Sequence, residues 1–316
     1  MKPGIKDVAK VAGVSPTTVS RVLNNRGYIS EETRKKVYDA MEEINYYPNE
    51  IARALLNNRT YFVGVIVPTV TSPFHGEIVE QIEYYLSQKN YKMLLCNSKN
   101  QMDTEKAYID MLRRNQVDGM IVGTHNAVVE TYSKLKMPVV GIDRSCDNYA
   151  AGQMATRHLI DKGCQHILCI RGNSKLKMPG NNRSQAYIQE MEKAGLPQMI
   201  LEVPFIMENV EKQKLIYDML NAHPEIDGIF AGDDSLAVIA LHVARQKGIN
   251  IPKDLKIIGV DGTKQILGFV PELTTIQQPV KQIAKVAVDK LIDLIEGKTA
   301  ESCMDLPVKL LEGQTT

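Results

Sequence analysis

From residue 62 onward the chain alternates short apolar runs with stretches of helical spacing, and this beat limits the fold more than any other feature. FVGVIVP, residues 62–68, is a continuous apolar run of the kind a strand buried on both faces carries; residues 77–88 then place Ile78, Ile82, Tyr85 and Leu86 on one side of a helix. The spacing predicts the same step again: MLLC at 93–96 before a helix over 103–114, GMIV at 119–122 before one over 127–135, then VVGID ending at Asp143. A second series predicts helices over 149–162, 183–194, 210–222 and 235–247, interleaved with HILCI, MILEV, GIFA and KIIGV. Strands that alternate with helices call for parallel sheets covered on both faces, and two series mean two lobes.

The first sixty residues follow another rule. IKDVAKVAGVSPTTVSRVLN, residues 5–24, predicts two short helices and a tight turn. Ile5, Val8, Ala9 and Ala12 recur at i, i+3, i+4 and i+7, Gly13 supplies the residue that can take positive φ at a helix end, Ser15 is placed to cap the next helix, and Pro16 opens it. Val19, Val22 and Leu23 form its inner face. Pro16, Thr17, Ser20, Arg21 and Asn24 are left outside, a set of hydroxyls, an amide and one guanidinium that suits base edges in a major groove, with Arg21 placed for a bidentate contact to guanine. A plain polar surface helix has the same composition. A third helix capped by Ser30, with Glu31 and Glu32 in its first turn, continues the apolar stripe through Val37, Met41 and Ile44, while Arg34, Lys35 and Lys36 fit either phosphate or solvent.

Charge adds a small bias. Residues 1–60 hold ten Lys/Arg against seven Asp/Glu, or +3, and the rest 28 against 30, or −2, giving the overall +1. The 5 cysteines show no paired spacing, so a disulfide framework or zinc site is not expected, and the 6 histidines have no metal-binding pattern. No apolar leader or membrane-length run occurs, which predicts a cytoplasmic protein with no membrane contact. No glycine-rich phosphate loop follows a strand and no nucleophile sits at readable spacing from a base, so neither an enzyme nor a bound cofactor or metal is expected.

NYYPNEIARALLNNRT, residues 45–60, decides between the two views of the head. Pro48 stops the third helix, and Asn49 to Leu56 can form only a short helix that needs a partner to persist. Ala52 and Leu55 share a face on which two such helices from two subunits can pair, leaving Leu55 as an apolar wedge of the kind that unstacks a minor-groove base step. A linker with an incidental leucine is the plainer reading.

DVAKVAGVS, TVSRVLN, YISEETR and NYYPNEIARALLNNRT, in this order and spacing, resemble the LacI family of transcriptional repressors. The resemblance implies an all-α helix-turn-helix head over 1–46, a hinge helix and linker over 47–60, and a two-lobed α/β core like a periplasmic binding protein over 61–316, with two parallel sheets. The first lobe would take about 61–146 and 279–304, the second about 147–276 and 305–316. It implies that Pro16, Thr17 and Arg21 read bases, that Ser15, Thr18 and Asn24 touch phosphates, that Asn49, Ala52 and Leu55 belong to the hinge helix on DNA, and that Leu55 is the minor-groove lever. Gly4 departs from the threonine or serine usual at the first cap. Only Ser145 and Cys146 separate Asp143-Arg144 from Asp147-Asn148, where the family has a longer segment; either the edge strand there is shortened or residues are missing from the sequence.

Ligands of open parallel sheets bind beyond the carboxyl ends of the strands. Ser72 and Phe74, Asp143 and Arg144, Phe205, Asp233 and Asp234, and Asp261 all fall there, a mixture of carboxylates, a guanidinium and aromatic rings fit for a carbohydrate. Each aspartate can equally be a helix cap, Asp234 more readily than Asp261. By resemblance Arg183 is the effector-clamping arginine and Asp261, in GVDG, the effector-binding aspartate. The expectation is a homodimeric repressor of a carbohydrate operon, bound to palindromic operator DNA and governed by a sugar or sugar phosphate. A regulator switched by a partner protein, as in catabolite control, and a soluble sugar-binding protein are the alternatives. NNRGYISEET, MLRRNQVDGMIVGTHN and GCQHILCIRG are similar to the sucrose-operon branch of the family in low-GC Gram-positive bacteria, which implies sucrose, fructose or a phosphorylated derivative; Arg144, Arg171 and Lys175 could then serve a phosphate, with plain surface charge the default reading.

Overall fold

The structure, a computed structural model, describes residues 3–47, 59–114, 117–123, 132, 135–142, 147–172, 181–204, 207–299 and 306–316. It divides into two compact units, Met1–Thr60 and Tyr61–Thr316.

In the first unit, α1 (Ile5–Ala12), α2 (Pro16–Leu23) and α3 (Glu31–Glu43) close on a core of Val8, Ala9, Val19, Val22, Val37 and Ala40. The punctuation is local chemistry. Gly13 sits at φ 65°, the Ser15 Oγ accepts the Thr18 N–H at 3.1 Å, and the Ser30 Oγ accepts the Thr33 N–H at 3.3 Å. Gly4 has no side chain to offer as a cap, and Asp7 compensates from the other side, its carboxylate accepting the Gly4 N–H at 2.8 Å. Ile5 lies at the rim of the apolar face rather than in it, 36% exposed.

The second unit holds two sheets. The first has the order β2-β1-β3-β4, with β1 (Phe62–Val67), β2 (Lys92–Asn97), β3 (Gly119–Val122) and β4 (Val139–Gly141), all parallel. Val63, Val65 and Val67 face one layer of core and Ile66 the other, as period-two alternation requires. On this sheet pack α4 (Pro73–Gln88) and α5 (Met102–Arg114). The helix expected from residue 77 begins a turn earlier, because Ser72 and Pro73 together start it. The helix expected at 127–135 lies outside the described residues apart from Tyr132 and Leu135.

The second sheet has the order β10-β9-β8-β7-β5-β6. It comprises β5 (Ile167–Gly172), β6 (Met199–Val203), β7 (Gly228–Ala231), β8 (Lys256–Asp261), β9 (Thr274–Gln277) and β10 (Lys309–Leu311). Between them run α6 (Asn148–Asp161), α7 (Asn181–Ala194), α8 (Asn209–Ala222), α9 (Asp234–Gln246) and the short α10 (Lys264–Phe269). One edge corrects the expectation of a wholly parallel sheet: β10 runs antiparallel to β9. The chain then crosses back, since α11 (Val280–Ile295) buries Ile283, Ala284, Ala287, Val288 and Leu291 in the first lobe's core with Val63, Ile78, Ile82 and Leu86. The lobes also touch directly where the Lys264 N–H donates to Glu77 Oε2 at 2.9 Å.

Candidate functional site

In the head, α2 separates its two faces cleanly. Val19 and Val22 are buried, while Pro16, Thr17 and Arg21 are exposed and Thr18, Ser20 and Asn24 half-buried. Their hydrogen bonds differ in a way that matters for recognition. Ser15 and Thr18 share a hydroxyl contact at 2.9 Å, and Asn24 Nδ2 donates to the Ser20 carbonyl at 2.8 Å, so these side chains are partly committed to holding the helix ends. The Arg21 guanidinium has no ion-pair or hydrogen-bond partner among the described residues of the head. Arg34 is taken up structurally, donating to Asn25 Oδ1 at 2.7 Å, and Lys36 pairs with Glu32. Asn49, Ala52 and Leu55 lie outside the described residues, as do Asp143, Arg144, Lys175 and Phe205 of the core.

In the core, Arg183 opens the first turn of α7 with its side chain only 14% exposed. Its Nε donates to Asn148 Oδ1 at 2.9 Å and its Nη1 to the Gly232 carbonyl at 2.7 Å; the same Nη1 lies 3.8 Å from Asp261 Oδ1. Nη2 has no hydrogen-bond partner among the described residues. Asp261 ends β8 at φ 127°, a backbone region that side chains avoid, and Gln278 Nε2 donates to its Oδ1 at 2.6 Å. The turn that follows is tight: a Cβ at Gly262, φ 61°, would stand 2.7 Å from the Gln277 Cα, so no side chain fits there.

The two aspartates after β7 divide the labour. Asp233 caps α9, its Oδ1 accepting the Leu236 N–H at 2.9 Å. Asp234, for which the cap was the competing assignment, is instead buried and braces the sheet end, accepting from the Gly262 N–H at 2.7 Å and the Thr275 hydroxyl at 2.6 Å. Burial pushes the Asp234 carboxyl up to about 7, against the lowering by those two donors. Burial likewise holds Asp261 well above the usual carboxylate range, with the Arg183 charge pulling it back.

Arg183, Asp233 and Asp261 are thus brought together at the carboxyl ends of the second sheet, joined by the Gly232 carbonyl. Ser72 and Phe74 belong to the first lobe. Ser72 precedes α4 with no side-chain cap bond, and Phe74 packs half-buried against that lobe's core, edge-on to His75 with ring centroids 5.5 Å apart. Glu77, one turn further along, meets Lys264 just past Asp261, which places this end of α4 beside the Asp261 turn. Sequence reasoning missed Asn148, Gln278 and Glu77, whose importance comes only from who touches them. It also missed Gly152, one turn after Asn148 on α6, where a Cβ would stand 2.2 Å from the Arg183 carbonyl oxygen.

A cavity of about 590 Å³, lined by residues including Leu241, Arg245, Ile251 and Glu272, lies at the far end of α9 and shares no residue with this cluster. Chemistry favours the cluster, which has open charged donors and acceptors, whereas Arg245 and Glu272 close on each other at 2.7 Å. Among the described residues no group of histidine, cysteine and acidic side chains could hold a metal, and no helix is long and apolar enough to cross a membrane.

Comparison with known proteins agrees with this anatomy. Residues 4–49 match the bacterial regulatory proteins of the lacI family, and residues 156–316 match the periplasmic binding protein-like domain. The sucrose operon repressor of Pediococcus pentosaceus is 41% identical over 326 residues, covering 100% of each chain. That of Streptococcus mutans serotype c is 39% identical, covering 98% of each. In structure the chain is similar to the Lac repressor bound to ONPG in its repressed state, with a TM-score of 0.87 over 100% of both chains at 23% identity, a likeness of fold. A helix-turn-helix head followed by a two-lobed α/β core, matched end to end at 41% identity to a known repressor, makes this chain a member of the lacI family of bacterial regulatory proteins.

Proposed function

We propose that the protein is a homodimeric repressor of a sucrose-utilisation operon that leaves or holds its operator according to the sugar bound at Arg183. The observation that carries this reading is Arg183 itself: fixed by Asn148 and Gly232, half-buried, with Nη1 3.8 Å from Asp261 Oδ1 and Nη2 without a hydrogen-bond partner among the described residues. That geometry suits the vicinal hydroxyls of a carbohydrate, which donate to a carboxylate and accept from a guanidinium at once. In the head, Pro16, Thr17, Ser20 and Arg21 face the base edges, and Ser15, Thr18 and Asn24 take phosphates. Asn49, Ala52 and Leu55 form the paired hinge segment, and Leu55 wedges the minor groove. Asp143 and Phe205 complete the effector site with Ser72, Phe74 and Asp233. Sucrose enters because the two full-length relatives above carry that name.

Mechanistically, a ligand must favour one arrangement of the lobes over the other to have any effect. The Glu77–Lys264 contact is one tie between the two lobes on which such a preference can act. The coupling to DNA then runs through the first lobe to the hinge segment. The test is operator affinity by fluorescence anisotropy with a panel of sugars. Sucrose or fructose should shift the affinity at least about fivefold, the lower end of ordinary allosteric coupling. A protein that ignores every sugar but responds to an added partner protein would be a catabolite-control regulator instead.

A further inference from the structure

We propose that Glu77 of the first lobe is the residue through which the Asp261 turn of the second lobe acts on the first, so that the effector response passes through its hydrogen bond to the Lys264 N–H. This rests on the reading of the Arg183 cluster as the effector site and adds the route by which that site is felt.

The first argument is where the polar groups of the turn go. Buried backbone donors and acceptors need partners, and the partners decide how far a turn can give. The Asp261 carbonyl accepts the Gln278 N–H at 3.0 Å, the Gly262 N–H donates to Asp234 Oδ2 at 2.7 Å, and the Gly262 carbonyl accepts from Gln277 Nε2 at 3.1 Å. Thr263 is only 1% exposed; its hydroxyl accepts the Ile266 N–H at 3.4 Å and its carbonyl the Leu267 N–H at 3.0 Å. Asp261 at φ 127° and Gly262 at φ 61° hold a backbone conformation that few residues can share. A turn tied at so many points shifts as a body instead of bending at one residue.

The second argument is where the turn ends. All the partners just named lie in the second lobe, and the next one does not. Lys264, the first residue of α10, donates its N–H across to Glu77 Oε2 at 2.9 Å, 187 positions away in the chain. Asp261 and Lys264 are three positions apart, at most about 11 Å of chain. The carboxylate proposed to meet the ligand and the bond between the lobes are therefore two ends of one stiff piece. A carboxylate acceptor also makes that bond stronger than one between neutral groups.

The third argument is the footing of Glu77. Its neighbour on α4, Ile78, is fully buried, and Ile82 and Leu86 continue into the same core with Ile283, Ala287 and Leu291 of α11. A displacement felt at Glu77 thus reaches the helix pair that carries the first lobe's core, and a close-packed core passes on a shift that a loose surface arm would absorb.

The test is operator affinity of the full-length protein by fluorescence anisotropy, with and without saturating sucrose, fructose or their 6-phosphates, beside calorimetric affinity for the same ligands. The two halves of the bond can be removed separately. Glu77→Ala deletes the acceptor. Lys264→Pro deletes the donor without opposing the fold, since proline suits the first position of a helix and Thr263 already has φ −70° and ψ 150°, the region a residue before proline takes. Both variants should bind the ligand within about threefold of the wild type, while its effect on operator affinity, at least about fivefold in the wild type, should fall below about twofold. Combining them should add nothing, because both changes delete one bond. Glu77→Gln keeps an acceptor and should keep the response. A full response in either single variant, a loss in Glu77→Gln as deep as in Glu77→Ala, or a collapse of ligand affinity in Glu77→Ala overturns the proposal and leaves the effector site standing. A wild-type protein that binds none of the four ligands, with operator affinity unmoved, overturns the effector reading and the proposal with it.

Discussion

Gly152→Ala sets two effects against each other, and the structure says which prevails. Alanine is worth about 1 kcal/mol more than glycine inside a helix, so propensity alone predicts a stabilised protein. The added methyl, however, would stand 2.2 Å from the Arg183 carbonyl oxygen and 2.7 Å from its Cα, backbone atoms of α7 that cannot rotate away. Ordinary contact begins at 3.4 Å, so the two helices must part by about 1 Å. Overpacking of this kind costs about 1–3 kcal/mol. The retreat also stretches the Arg183 bonds to Asn148 and Gly232, each made by a charged donor and worth about 1.5–3 kcal/mol. The clash therefore outweighs the propensity gain, and the variant should be less stable by about 2–4 kcal/mol, with Tm lower by about 5–10 °C for a core of this size. Effector affinity should fall about tenfold or more, because the residue lost from position is the one proposed to hold the ligand. Thermal melting and calorimetry with the sugar read both quantities, and operator affinity without sugar is the control that should stay. A variant with equal or higher Tm and unchanged sugar affinity would show slack between α6 and α7 and would refute the claim that this glycine positions Arg183.

Arg21→Ala should cost about 1–3 kcal/mol of operator affinity, and mainly on the matched palindrome, if the proposed base contact is lost; equal loss on scrambled duplex would make Arg21 a phosphate contact. Leu55→Ala should reduce operator bending in a circular-permutation assay, and an unchanged bend would contradict the lever assignment. Arg183→Ala should abolish the sugar response while sparing operator binding, and a retained response would remove it from the site. Asp234 makes a prediction about pH. Its carboxyl is raised to about 7 by burial, so between the unfolded value near 3.8 and about 7 the folded state binds more protons than the unfolded chain. Stability should then fall as pH rises through that window, by up to about 1.4 kcal/mol per pH unit, and level off above it. Asp234→Asn can keep both bonds, its carbonyl accepting from Gly262 and its amide donating to the Thr275 hydroxyl. The pH slope of Tm should flatten in that variant, and an unaltered slope would assign the titration elsewhere.

The head was legible because its signals are local. Ser15, Pro16, Gly13 and Ser30 act within one turn of themselves, and the valines they frame are the ones that become buried. The strand-helix alternation was equally plain wherever a strand was apolar on both faces. It hid β9, whose Thr274 and Thr275 are fully buried yet polar, their hydroxyls satisfied by the chain's last residues and by Asp234. It hid α10 too, which at six residues is too short for a period. The candidate cluster was half legible. Resemblance pointed to Arg183 and Asp261, and place after a strand to Asp233, but Asn148 lies 35 positions from Arg183 and Gln278 lies 17 from Asp261, and nothing in a linear pattern announces such neighbours.

The crossing of the chain between lobes has a bearing on how the molecule is made. The first lobe waits for Ile283 to Leu291 to cover its sheet, and the second waits for β10, while the three-helix head has its core complete by Tyr46. During synthesis there is accordingly a long interval in which a folded head precedes an unfinished core. Polypeptides cut short before about residue 280 would keep a foldable head and lose both the completion of the first lobe and the strand edge of the second. Premature termination, more than most point changes, should yield fragments able to touch DNA weakly while deaf to any sugar.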